Sequence, residues 1–89
     1  MKEILTKELH GSKVNSILLR DYCGNPHWIR EGDKLPMTKP HEEQDEVSEM
    51  WIDATFHGDC DLMYVAMQLD SGNKQMFNLK TVEHFELSN

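Results

Sequence analysis

Lysine and arginine are missing from the 34 residues between Lys39 and Lys74 of this 89-residue chain, a stretch that carries nine carboxylates. These are Glu42, Glu43, Asp45, Glu46, Glu49, Asp53, Asp59, Asp61 and Asp70, so the segment bears a formal charge of −9 while the rest of the chain bears +2. A field of one sign repels free nucleic acid and anionic membranes, and it attracts basic surfaces over about one Debye length, roughly 10 Å.

Other absences narrow the reading further. No apolar run approaches the ~18 residues that span a bilayer, and residues 1–15 lack the positive-then-apolar pattern of a secretory signal. A cytoplasmic location without a membrane partner is therefore expected. There are only two cysteines, Cys23 and Cys60, and in a reducing compartment they would be thiols or metal ligands rather than a disulfide. There is no Gly-x-Ser-x-Gly elbow, no phosphate-cradling glycine loop and no Gly-x-Gly-x-x-Gly. His41-Glu42-x-x-Asp45 lacks the second histidine of a zinc-protease motif, and no alternating oxygen-ligand loop for calcium is present. The chain reads as non-enzymatic. Direct nucleic-acid binding is also disfavoured, because Lys2, Lys7, Lys13, Arg20, Arg30, Lys34 and Lys39 are interleaved with Glu3, Glu8, Asp21, Glu31 and Asp33 and leave no basic face.

The 38% apolar content and the aromatics spread along the chain are too rich for a disordered segment, and they suit one modest core in a single domain over residues 1–89. The core positions follow a period of two. Met50, Ile52, Ala54 and Phe56 alternate with Trp51, Asp53, Thr55 and His57, which predicts a half-buried strand. Because Met50 and Trp51 are adjacent, a strand turns one of them outward, and Trp51 is expected to be the more exposed. A second strand covers 62–69. Asp70-Ser71-Gly72-Asn73 then supplies the small, left-handed-tolerant residues of a tight hairpin, and 75–79 returns as a third strand. Upstream, 14–20 is a strand candidate, Gly24-Asn25-Pro26 a turn, and 28–35 a segment that pairs back.

Residues 2–9 fit an edge strand slightly better than a short helix stopped at Gly11. At the C-terminal end, Leu79, Val82 and Phe85 suit one helical or 3₁₀ turn before a short closing strand. The segment after Pro40 places Glu42, Glu43, Asp45 and Glu46 where a helix first turn favours negative charge, so a short acidic helix over 40–50, or otherwise a loop, is expected. The fold class is mainly β, with α+β as the variant: a small, bent antiparallel sheet or SH3-like barrel of about five strands with one acidic helix or loop inserted.

Two functional readings follow. In the first, the chain docks on the basic, nucleic-acid-binding surface of a protein partner and blocks it. Glu42, Glu43, Asp45, Glu46, Glu49 and Asp53 supply charge, and Trp51 supplies apolar area. In size and acidity alone, such a chain resembles phage-encoded inhibitors of host nucleases and defence systems that imitate DNA charge; no cofactor is needed. In the second, Cys23-x₃-His27 and His57-x₂-Cys60, each on a predicted turn, supply the two thiolates and two imidazoles of a closed zinc site, in a small β module that serves as a subunit of a larger complex. Neither reading sets the oligomeric state.

Overall fold

In the computed structural model, which describes residues 9–57 and 60–88 and the backbone alone at 55–57 and 60–62, the chain is nearly all β. Among the described residues six strands occur in the order β1 (Val14–Arg20), β2 (Pro26–Ile29), β3 (Val47–His57), β4 (Cys60–Leu69), β5 (Lys74–Asn78) and β6 (Phe85–Leu87). They form two antiparallel three-stranded sheets, β2-β1-β6 and β3-β4-β5. The expected barrel does not close. The two sheets are joined where the chain leading into β1 runs along the edge of β3: the Gly11 amide donates to the Ile52 carbonyl (2.7 Å) and the Ile52 amide to the Ser12 carbonyl (2.8 Å). A register irregularity between Val14 and Ser16 then turns β1 into the second sheet, as a bulge does.

Alternation along the strands sets the core. Val47, Met50 and Ile52 of β3 stand opposite Leu69, Met67 and Val65 of β4, and all six are buried together with Val14, Ile17, Ile29 and Leu35. The other pleat of the same sheet carries Glu49, Trp51 and Asp53. Met50 is fully buried and Trp51 half-buried, so the orientation expected from sequence holds. Trp51, Ala66 and Met76 align across the three strands. Ala66 is fully buried although it lies on the outer face, because larger side chains flank its methyl on both sides.

Of the two forms expected for 40–50, a short acidic helix or a loop, the chain takes the loop: residues 36–46 are turns and extended chain, and β3 begins at Val47. Two causes outweigh the local helix preferences. His41 adopts φ +60°, which interrupts a right-handed helix. The chain on either side of Glu46 is also captured by an earlier segment, since the Leu35 amide donates to the Asp45 carbonyl (2.8 Å), the Val47 amide to the Asp33 carbonyl (2.9 Å) and the Gly32 amide to the Val47 carbonyl (2.7 Å). For the same reason only the first part of the 28–35 segment pairs with β1, while its second part covers the edge of β3. Residues 79–81 form a hydrogen-bonded turn, not a helix, with the Thr81 amide donating to the Asn78 carbonyl (2.9 Å). Of the segment 2–9, residues 2–8 lie outside the described residues, and Leu9 is in a 3₁₀ turn, not a strand.

The β4–β5 hairpin uses the predicted turn. Gly72 sits at φ +97°, and its amide donates to the Leu69 carbonyl (2.9 Å). Nothing lies within 4 Å of where a Cβ would be, so only backbone strain opposes a side chain there. Gly72→Ala should cost about 1–2 kcal/mol and Gly72→Asn less, because asparagine tolerates the left-handed region. Urea midpoints should rank glycine, asparagine, alanine; an alanine variant as stable as the parent would contradict the turn.

Candidate acidic docking surface

The acidic residues fall into two groups. In the first, the carboxylate is engaged within the fold. Glu42 accepts from the Thr38 amide (2.6 Å) and the Thr38 hydroxyl, tying the 38–42 turn together. Asp45 accepts from the Ser71 hydroxyl, the Ser71 amide (3.3 Å) and the Glu46 amide (3.0 Å), and so clamps the β4–β5 turn to the acidic segment. Glu49 pairs with Lys13 at 3.1 Å, and Asp53 lies 3.9 Å from the His10 ring. In the second group are Glu43 and Glu46, both exposed, whose side chains have no hydrogen bond or ion pair among the described residues.

Tertiary pairing adds carboxylates that are distant in sequence. Val47 holds Asp33 beside β3 through its amide, and the Asp70 amide donates to the Glu46 carbonyl (2.9 Å). Asp33, Glu42, Glu43, Asp45, Glu46 and Asp70 are thereby gathered at one end of the β3-β4-β5 sheet. None of them has a cation within ion-pair distance among the described residues. Lys34 stands opposite Glu46 across a single β-bridge without forming such a pair. The −9 segment does not form one continuous face, however. Asp61 pairs in the backbone with Phe56, about 30 Å along β3 from Glu46 at ~3.3 Å per residue. Asp59 and the Asp61 side chain lie outside the described residues.

Trp51 belongs to the outer sheet face rather than to the acidic end. The Lys74 ammonium lies 5.5 Å from its ring centroid, within cation–π range. Sequence reasoning missed a second exposed aromatic group. Trp28 is 48% exposed and stacks with His84 at a ring-centroid separation of 6.4 Å, over the other sheet. Its signal was the alternation of Trp28 with the buried Ile29.

Also missed was a cleft of about 200 Å³ where the two sheets and the 35–45 segment meet. Leu19, Leu35, Leu69 and Phe77 form its apolar walls, while Glu42 and Asp45 supply acid at its rim. Arg20 also lines it, but its guanidinium is bound to Glu83 (2.7 Å) and to the Gly24 carbonyl (2.7 Å).

No family model matches this chain, and neither a curated protein nor a solved structure matches it.

The four residues considered for zinc are distributed over both sheets. Cys23 and His27 belong to the β1–β2 hairpin, where Cys23 is exposed and the His27 ring sits 2.9 Å from the Asp21 carboxylate. His57 and Cys60 close the β3–β4 hairpin of the other sheet, and their side chains lie outside the described residues. Among the described residues, no group of three or more histidine, cysteine or carboxylate side chains is arranged to hold a metal, and no buried side-chain polar atom lacks a partner. No helix among those residues is long and apolar enough to cross a membrane.

Hydrogen bonding to their charged forms lowers three carboxyl pKa values. The Thr38 amide and hydroxyl hold Glu42 below its ordinary 4.5, the His27 ring and the Asn25 amide hold Asp21 below 3.8, and Arg20 holds Glu83 below 4.5. A depressed folded-state value contributes stability that is present above the unfolded value and lost as pH falls through the folded one. Stability should therefore decline as pH is lowered from about 5 towards 2. Glu42→Gln should reduce the slope of urea midpoint against pH over that range; an unchanged slope would show that the Thr38 contact does not form in solution.

Proposed function

We propose that this chain is a non-enzymatic protein-binding module of the cytoplasm, which docks its acidic end on the basic, nucleic-acid-binding surface of a protein partner and blocks it in the manner of a phage inhibitor. The observation that carries this reading is the gathering of Asp33, Glu42, Glu43, Asp45, Glu46 and Asp70 at one end of a sheet, with no cation paired to any of them among the described residues. Carboxylates with no cation at ion-pair distance present a negative field, which raises encounter rates with a basic surface and opposes like-charged competitors. Glu49 can join them by exchanging Lys13 for a partner cation, since a solvent-exposed pair of that kind contributes little to stability.

Capture by the immobilised chain, followed by a salt titration, tests the reading. A partner should be retained at low ionic strength, released steeply as salt rises towards ~0.5 M, and displaced by DNA or RNA that competes for the same basic face. A captured protein whose binding ignores both salt and nucleic acid would overturn it.

A further inference from the structure

The edges of the two sheets are unequal. The outer edge of β3 is covered by residues 11–13 and 32–35, and β2 and β6 are short. Among the described residues β5 pairs only with β4, over an unbroken register from Lys74 to Asn78. Hydrogen bonds from the Leu69 amide to the Asn73 carbonyl (2.9 Å) and from the Leu79 amide to the Met63 carbonyl (3.0 Å) fix the phase of that ladder. Gln75 and Phe77 then bond to β4, while the amides and carbonyls of Lys74 and Met76 point away from it. Among the described residues no backbone hydrogen bond engages those outward groups. Such an edge is a template for another strand.

The cleft opens beside this same edge, since Gln75 and Phe77 of β5 line it. On the opposite pleat, Met76 is 41% exposed next to Ala66 and Trp51. A strand laid against β5 would thus send alternate side chains to different chemistries: one set into an apolar-walled cleft rimmed by Glu42 and Asp45, the other onto the Met76 face.

We propose that the β5 edge binds an extended segment of the partner as an added strand, with basic side chains entering the cleft and apolar ones covering Met76. Methylene stems of arginine or lysine suit the Leu19, Leu35 and Phe77 walls while their heads reach the carboxylates. Main-chain bonds supply affinity and the alternating surroundings supply specificity, as in other cases of strand addition. A second copy of this chain is the weaker occupant, because each copy carries −7 and opposes its own pairing. This inference rests on the docking reading for the sign of the partner's charge, and adds how the partner is held.

The test uses the full chain, ¹⁵N-labelled, and a capped hexapeptide alternating arginine and valine at up to ~1 mM, a concentration that detects even weak complexes. Amide shifts should concentrate at 74–78, with Lys74 and Met76 gaining protection from exchange. N-methylating either the arginines or the valines blocks one edge of the peptide, so one of these two peptides, and not the other, should lose about tenfold in affinity. Met76→Pro should lose a similar factor, since proline is tolerated on a sheet edge and removes only the outward amide. No binding, equal binding of both N-methylated peptides, or shifts confined to 42–46 would overturn the proposal. Protection of Lys74 and Met76 that rises with protein concentration alone would overturn it in favour of self-pairing. Shifts confined to 42–46 would leave the acidic docking reading standing, whereas salt-insensitive capture would remove that reading independently of β5.

Discussion

Ile52→Ala should cost about 2–5 kcal/mol, a large part of the stability of a domain this size. Ile52 is fully buried and faces Val65 across the β3–β4 ladder. Its backbone also carries the joint between the sheets, donating to Ser12 and accepting from Gly11. Truncating its side chain therefore opens a cavity at the place where β1 is anchored to β3. The urea midpoint should fall sharply with the slope of the transition unchanged, and the melting temperature should drop by more than ~10 °C. Trp51→Ala, one residue away, should cost less than half as much, because that ring lies on the outer pleat beside Lys74. Equal losses at the two positions would mean that the strand is rotated from the register described here.

Reversing Glu43 and Glu46 together to lysine should weaken partner capture by about 10- to 100-fold at low salt, mostly through slower association. Stability should stay within ~0.5 kcal/mol of the parent, since neither side chain has an internal partner among the described residues. The deficit should shrink as salt rises, because added ions screen parent and variant alike. Asp45→Ala is the counterpart. It releases the Ser71 hydroxyl and two amides and should lower stability by about 1–2 kcal/mol whatever the partner does. Measuring both variants separates carboxylates that build the fold from those that face outward. Unchanged capture by the Glu43/Glu46 reversal would remove the acidic end from the binding surface.

The β3-β4-β5 meander was legible because its signals are local. A period of two over 50–57 and 62–69 identifies strands, and Asp70-Ser71-Gly72-Asn73 allows the one left-handed residue that the hairpin needs. Trp51 could be assigned to the outer face from parity alone. Sequence left the acidic segment open between helix and loop for the opposite reason. Pro40 and the carboxylates behind it favour a helix first turn locally, but pairing of 45–47 with 33–35 supplies backbone hydrogen bonds together with burial of Val47 and Leu35. The cleft was illegible because its walls come from β1, the 35–45 segment, β4 and β5, and no local pattern reports that they converge.

Charge and periodicity are properties of the chain, so the −9 segment and the mainly β character were settled before any contact was known. Which carboxylates remain available is a property of the packed molecule. Glu49 finds Lys13 from 36 positions away and Asp45 finds Ser71 from 26, while Glu43 and Glu46 find no such partner among the described residues. Only folding can decide this, because a carboxylate is engaged when sheet pairing brings a donor within reach, and pairing across sheets depends on register rather than on neighbours in sequence.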